Sequence, residues 1–256
     1  MIILEKHDKK KIESAVFDFD GTISTLRCGW ESVMEPLMLE CIFGDEYTQE
    51  DVKEVREYIA ASTGIQTILQ MKWLAERVAK QGKTALDPWE YKAEYNRRLM
   101  INVEKRCMDA KAGNKEKYIM RGAVEFLEVL KAKGIKMYAA SGTDEADVKN
   151  EAAILGINKY FDEIAGAKPM SEDCSKEATL NRLISQGEGC LLVVGDGPVE
   201  IRLGKAAGAC TLGICGKERE LCGIDHVKVK RLTAAGAHAL VDCFSDTKSI
   251  FEWMEG

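Results

Sequence analysis

Apolar residues follow two rhythms along this chain, and the change from one to the other divides it. Ala15, Val16, Phe17 and Phe19 form a nearly continuous apolar run, as a strand buried on both faces requires. Gly21 breaks the run, so Asp18 and Asp20 fall at the strand's carboxyl end. From 24 to about 120 the spacing becomes helical. Met34, Leu37, Met38, Cys41 and Ile42 mark a helix over 31–43, and another covers 51–61. Ile68, Met71, Leu74, Ala75 and Val78 mark 65–80, and Trp89, Tyr91, Tyr95, Leu99 and Val103 mark 89–108. Asp87 reads as the N-cap of the last of these, with Pro88 at its first position. Lys111–Lys115 reads as the returning linker.

After 120 the rhythm becomes strand, helix, strand. A helix over 122–133 ends at Gly134, and the strand Ile135–Ala140 runs into Ser141-Gly142-Thr143. A helix follows over 144–155, then a short strand near Ile164 and a helix over 175–186. The strand Cys190–Val194 ends in Gly195-Asp196-Gly197, a helix starts at Pro198, and strands follow at Ala209–Ile214 and Ala239–Asp242. Strands alternating with helices predict a parallel sheet with right-handed crossovers. The expected division is an α/β unit made of 1–24 plus 118–256, interrupted by a helical insertion at 25–117.

Composition narrows the function classes. The 256 residues are 46% hydrophobic and 30% charged, ordinary for a globular protein. A net charge of −6 argues against a nucleic-acid surface. No apolar run approaches the ~20 residues of a membrane span, and no signal peptide precedes the first strand. Nine cysteines without a C-x-x-C pair predict reduced thiols and a cytoplasmic setting. Cys210, Cys215, Cys222 and His226 match no structural zinc spacing. Oligomeric state is not readable.

Three strand ends carry groups that chemistry can use. Asp18 and Asp20 repel each other unless a cation or a raised pKa relieves them, though an Asx turn also accounts for such a pair. Ser141-Gly142-Thr143 puts a hydroxyl and N–H groups at an expected helix start, a good anion site; capping by Thr143 or Asp144 explains it equally. Asp196 follows an apolar strand, and Glu200 lies in the first turn of the helix that Pro198 begins. A dinucleotide fingerprint fails, because Glu200 stands where a glycine is needed. Lys168 and Lys176 lie between the second and third of these strand ends, and either also reads as a surface lysine.

The run Asp18-Phe19-Asp20-Gly21-Thr22-Ile23 resembles the first motif of the haloacid dehalogenase superfamily. Ser141, a lysine and Asp196 follow in that superfamily's order, and the likeness is to its capped phosphoglycolate phosphatase and β-phosphoglucomutase-like members. The resemblance implies a doubly wound, Rossmann-like parallel sheet with a helical cap, and a Mg²⁺-dependent phosphatase acting on a small phosphorylated metabolite such as a sugar phosphate. By resemblance, Asp18 is the nucleophile that becomes an aspartyl phosphate, and Asp20 the general acid and base. Mg²⁺ falls to Asp18, Asp196 and the Asp20 carbonyl, with Glu200, unusual in place of aspartate, acting through water. Gly21, Thr22, Ser141, Gly142 and the lysine hold phosphate oxygens. Lys176 is the preferred lysine, because Ser175-Lys176-Glu177 opens the helix leading to the Asp196 strand; Lys168-Pro169 is the other. A phosphomutase shares these core residues, whereas a non-catalytic binding module would be expected to have lost Asp18, Asp20 or Asp196. For the leaving group, Arg27 and Trp30 are candidates, as are Gln66 and Thr67, although Thr63 and Gln66 also form a capping-box pattern.

Overall fold

The structure, a computed structural model, describes residues 1–5, 11–168, 175–185 and 189–255. Seven strands form one sheet: β1 (Ile2–Ile3), β2 (Ile12–Phe17), β3 (Lys136–Asp144), β4 (Glu163–Ala167), β5 (Cys190–Gly195), β6 (Cys210–Ile214) and β7 (Ala239–Val241). Their order is β1-β7-β6-β5-β2-β3-β4, parallel throughout except for β1 against β7. From β2 the chain builds outward through β3 to β4. It then returns to β2's other side at β5 and builds outward again. The strand order therefore reverses at β2, and the crevice beyond its carboxyl end is where such sheets collect ligands.

Four helices follow β2 before the chain returns through α5 to β3: α1 (Glu31–Phe43), α2 (Gln49–Ala61), α3 (Thr67–Lys80) and α4 (Pro88–Asp109). Asp87 caps α4 through the Trp89 amide, with Glu90 closing the reciprocal bond. Thr48 and Asp51 do the same for α2. The remaining helices cover the sheet: α5 (Ala123–Ala132), α6 (Glu145–Leu155), α7 (Ser175–Ser185), α8 (Pro198–Ala206), α9 (His226–Ala235) and α10 (Thr247–Glu255). Phe17 meets Phe126 of α5 edge to face at 6.2 Å, and Phe126 stacks on Phe244 at 5.1 Å, which fixes β2 over its helical layer.

Several local expectations change. β3 runs through Ser141-Gly142-Thr143 to Asp144, one residue further than expected, and the helix follows at once from Glu145 with Asp144 at its N-cap position. Neither Thr143 nor Asp144 caps that helix with its side chain: the Thr143 hydroxyl turns to Asp20 and the Asp144 carboxylate takes Lys92 at 2.6 Å. The Thr63–Gln66 capping box does not form: Gln66 is the N-cap of α3 with no side-chain cap bond, and the Thr63 hydroxyl donates to Ile59 O. The antiparallel β1 and the helices α9 and α10 add to the expected elements. No described helix is long and apolar enough to cross a membrane.

Candidate active site

Asp18 directly follows β2, and its amide donates to Val194 O of β5 at 2.8 Å, continuing the sheet pairing past the strand. Its side chain is only 6% exposed. The turn that follows has to be glycine: Gly21 has φ +76°, and a Cβ there would stand 2.6 Å from Asp196 Oδ2. Because Gly21 lies that close, the Thr22 hydroxyl reaches Asp196 Oδ1 at 3.3 Å. Asp196 stands just beyond β5, and Glu200 folds back from the first turn of α8 to accept the Gly197 amide at 2.6 Å. Glu200 is thus a helix-capping group whatever else it does. Asp18, Asp196 and Glu200, all buried, each offer one carboxylate oxygen, and those oxygens lie within 4.8 Å of one another. Three hard oxygen donors so close repel strongly without a cation, and an all-oxygen donor set suits Mg²⁺.

Asp20 has different surroundings. Its Oδ2 accepts from the Ser141 hydroxyl at 3.0 Å and the Thr143 hydroxyl at 2.8 Å, while Ser141 Oγ accepts the Thr143 amide. Two strand-end hydroxyls therefore fix the Asp20 rotamer, with Ser141 acting on Asp20 as well as lining the cleft. Gly142 lies beneath the Ile65 carbonyl, where a Cβ would be 3.1 Å away, so the loop before α3 closes directly over this strand end.

Of the two lysines, Lys168 is exposed past the end of β4 and is absent from the cleft wall among the described residues. Lys176 falls within α7, but its side chain lies outside the described residues.

A third lysine, missed in the sequence, meets the acidic cluster. Lys228 of α9 is 9% exposed, and its Nζ lies 2.7 Å from Asp196 Oδ2 and 2.9 Å from Glu218 Oε1. Burial alone would lower its pKa; Asp196 and Glu218 more than offset this, so it stays charged. One turn on, Arg231 donates to the Asp196 carbonyl at 3.2 Å and to the Thr63 hydroxyl at 3.1 Å. A helix supplying cations at i and i+3 was the available signal, but the valines at 227 and 229 masked its helical period. Without metal, Lys228 is a buried cation that offsets Asp196. Lys228→Met is therefore expected to melt lower than wild type in EDTA and to gain more from added Mg²⁺ than wild type gains. An equal Mg²⁺ increment in thermal melts of both proteins would contradict that role.

Arg27, a candidate for the leaving group, lines the cleft but is held by carboxylates of α6. Its Nη2 lies 2.6 Å from Glu151 Oε1 and 3.2 Å from Asp147 Oδ2, and its Nε is 4.0 Å from Asp20 Oδ1. Burial disfavours its charge, and Glu151, Asp20 and Asp147 together more than restore it. The cleft spans about 730 Å³ including its open mouth. Its floor is Asp18, Asp20, Ser141 and Asp196, and its roof includes Trp30, Thr63, Ile65, Thr67, Tyr95 and Leu99 from the helical insertion. Gln66 is buried and is not part of that wall. Cys210, Cys215, Cys222 and His226 form no metal-ligating group among the described residues.

Residues 12–208 match the family described as haloacid dehalogenase-like hydrolase. A Clostridium perfringens protein named as a pyrophosphatase, PpaX, is 39% identical over 94 residues, which cover 34% of this chain and 42% of that protein. Solved structures share the fold at low identity. A predicted phosphoglycolate phosphatase from Haemophilus somnus 129pt gives a TM-score of 0.63 at 17% identity, covering 94% of this chain and 98% of that one. A Bacteroides vulgatus protein named for β-phosphoglucomutase gives 0.62 at 18%, covering 97% and 91%. A phosphonoacetaldehyde hydrolase-like protein from Oleispira antarctica gives 0.64 at 17%, covering 98% and 95%.

Proposed function

We propose that this chain, which belongs to the haloacid dehalogenase-like hydrolase family, is a Mg²⁺-dependent phosphatase that cleaves a small phosphorylated metabolite through a phosphorylated Asp18. The observation that carries this reading is the contrast between two aspartates one residue apart. Asp18 is buried in a cluster of carboxylates, whereas Asp20 is held by two hydroxyl donors at the cleft floor.

An Asp18 oxygen attacks phosphorus as the bond to the leaving oxygen breaks, and Asp20 gives that oxygen its proton. Water then attacks phosphorus, Asp20 takes the water's proton, and the bond to Asp18 breaks. Splitting one displacement in two is the gain of covalent catalysis, and proton transfer from a positioned carboxyl typically adds ~10²–10⁴ in rate. Ser141 and Thr143 hold Asp20 at the angle this exchange needs. Asp18, Asp196 and the Asp20 carbonyl, with Glu200 behind them, would hold Mg²⁺, which would supply positive charge to offset that on the transferring group. Gly21, Thr22, Gly142 and a lysine complete the phosphate cradle. The helices over 25–117 serve as a cap on a core of 1–24 plus 118–256, and the setting is cytoplasmic, with no nucleic-acid or membrane partner.

The test is phosphate release from a panel of phosphate esters. Release should require Mg²⁺ and stop in EDTA; its absence throughout would overturn the reading. On the best substrate, Lys176→Met should cut kcat/KM by roughly thirty- to a thousandfold, as the loss of a charge-assisted phosphate contact does. Lys168→Met should change it little. The reverse pattern would move the phosphate lysine to Lys168.

A further inference from the structure

We infer that the leaving group is an uncharged polyhydroxy alcohol, a sugar or polyol, and not one carrying a carboxylate or a second phosphate; this rests on the phosphatase reading above. Every described cation around the cleft is already committed to a protein acceptor. Arg27 lines the wall, yet its Nε and Nη2 are taken by Glu151 and Asp147, with Asp20 close by. Lys228 bridges Asp196 and Glu218, and Arg231 reaches only the back of the wall, through Thr63 and the Asp196 carbonyl. Lys92, next along the insertion, is bound to Asp144.

The wall itself carries Asp18, Asp20, Asp196 and Glu218. A metal ion and a phosphate lysine offset charge at the group being transferred, which lies at the floor. They leave no uncommitted described cation for the leaving group at the roof side, and Glu218, paired with Lys228, adds a further carboxylate to the cleft wall. An anionic leaving group would lose its water there beside like charge, and such placements are strongly disfavoured. What the roof does offer is aromatic and aliphatic faces at Trp30, Ile65, Tyr95 and Leu99, with hydroxyls at Thr63 and Thr67. Flat apolar faces with a few hydroxyls match the C–H faces and hydroxyls of a sugar or polyol. A bisphosphate, as a mutase cycle requires, or a pyrophosphate would both place a second phosphate against this wall.

Matched substrates isolate the charge. The full-length protein with Mg²⁺ is assayed on 2-hydroxyethyl phosphate against 2-phosphoglycolate, glycerol 3-phosphate against 3-phosphoglycerate, and sorbitol 6-phosphate against 6-phosphogluconate. p-Nitrophenyl phosphate serves as the reference. The neutral member of the best pair should be favoured in kcat/KM by at least about thirtyfold. Glu218→Gln removes a wall charge and loosens Lys228, so it should narrow that ratio several-fold, mainly through KM for the acid. Equal rates within the pairs, a preference for the acids, or turnover of p-nitrophenyl phosphate alone would overturn the inference while leaving the phosphatase reading in place. Phosphate release from none of the seven compounds would remove that reading, and this inference with it.

Discussion

Asp18→Asn is expected to abolish phosphate release, by at least about 10⁴-fold, without unfolding the protein. The substitution keeps the side chain's shape and leaves the backbone bond from the Asp18 amide to Val194 O untouched. It removes the attacking oxygen's charge and replaces that oxygen or its partner with an amide. It also removes one negative charge from a group of three buried carboxylates, so metal-free stability should equal or exceed wild type. Two measurements together decide it: release of phosphate at saturating substrate, and thermal melting in EDTA. A stable, active Asp18→Asn protein would remove Asp18 as the nucleophile. An inactive and unfolded one would fail the stability half of the expectation, and acid-quench trapping of labelled enzyme would then be read on wild type, where label must sit on Asp18.

The sheet and the helical insertion were legible because burial writes its period into the sequence. The four insertion helices begin and end within two residues of where the apolar spacing put them, and Asp87-Pro88 marks its helix start as capping chemistry requires. Asp18, Asp20 and Asp196 were legible as strand-end acids because each follows an apolar run broken by glycine nearby, and the structure brings them to one crevice. What stayed hidden depends on partners far along the chain. Ser141-Gly142-Thr143 reads locally as an anion site or a cap before a helix, yet Asp20, more than 120 residues earlier, draws both hydroxyls. Asp144 would cap a helix in isolation, but Lys92 of α4 takes its carboxylate. Lys228 and Arg231 look like ordinary surface cations of a basic helix, and only the fold brings them against Asp196. Arg27 sits near the first motif and so suggested a substrate contact, while its real partners wait on α6. Local pattern specifies elements; which charges meet is a property of the closed structure.

That buried charge cluster gives the largest expected effect on stability. Arg27 is 8% exposed and Glu151 2%, and two guanidinium nitrogens hold the carboxylate at 2.6 and 3.1 Å. Removing one partner of a buried ion pair strands the other, which typically costs ~3–5 kcal/mol. Arg27→Met is therefore expected to melt lower by roughly 10 °C, given the ~2–4 °C per kcal/mol usual for chains of this size. The loss should depend on pH in a defined direction. Burial already pushes the Glu151 carboxyl up to about 7, helped by Asp20 and Asp147 and opposed by Arg27. Without Arg27 that opposition disappears and the folded-state value rises further above its unfolded one. A group whose folded pKa is raised gives stability that is present at low pH and is lost as pH climbs through the folded value. The deficit of Arg27→Met should thus be small near pH 5, where Glu151 takes a proton in the folded state, and largest at pH 8. The double variant Arg27→Met with Glu151→Leu, which leaves on α6 only the partly exposed Asp147 of Arg27's partners, should recover most of the loss and flatten its pH dependence. Urea midpoints of the three proteins at both pH values measure this. A deficit that is equal at pH 5 and pH 8, or that survives in the double variant, would mean that lost packing of the long Arg27 stem, and not the stranded carboxylate, is what the protein misses.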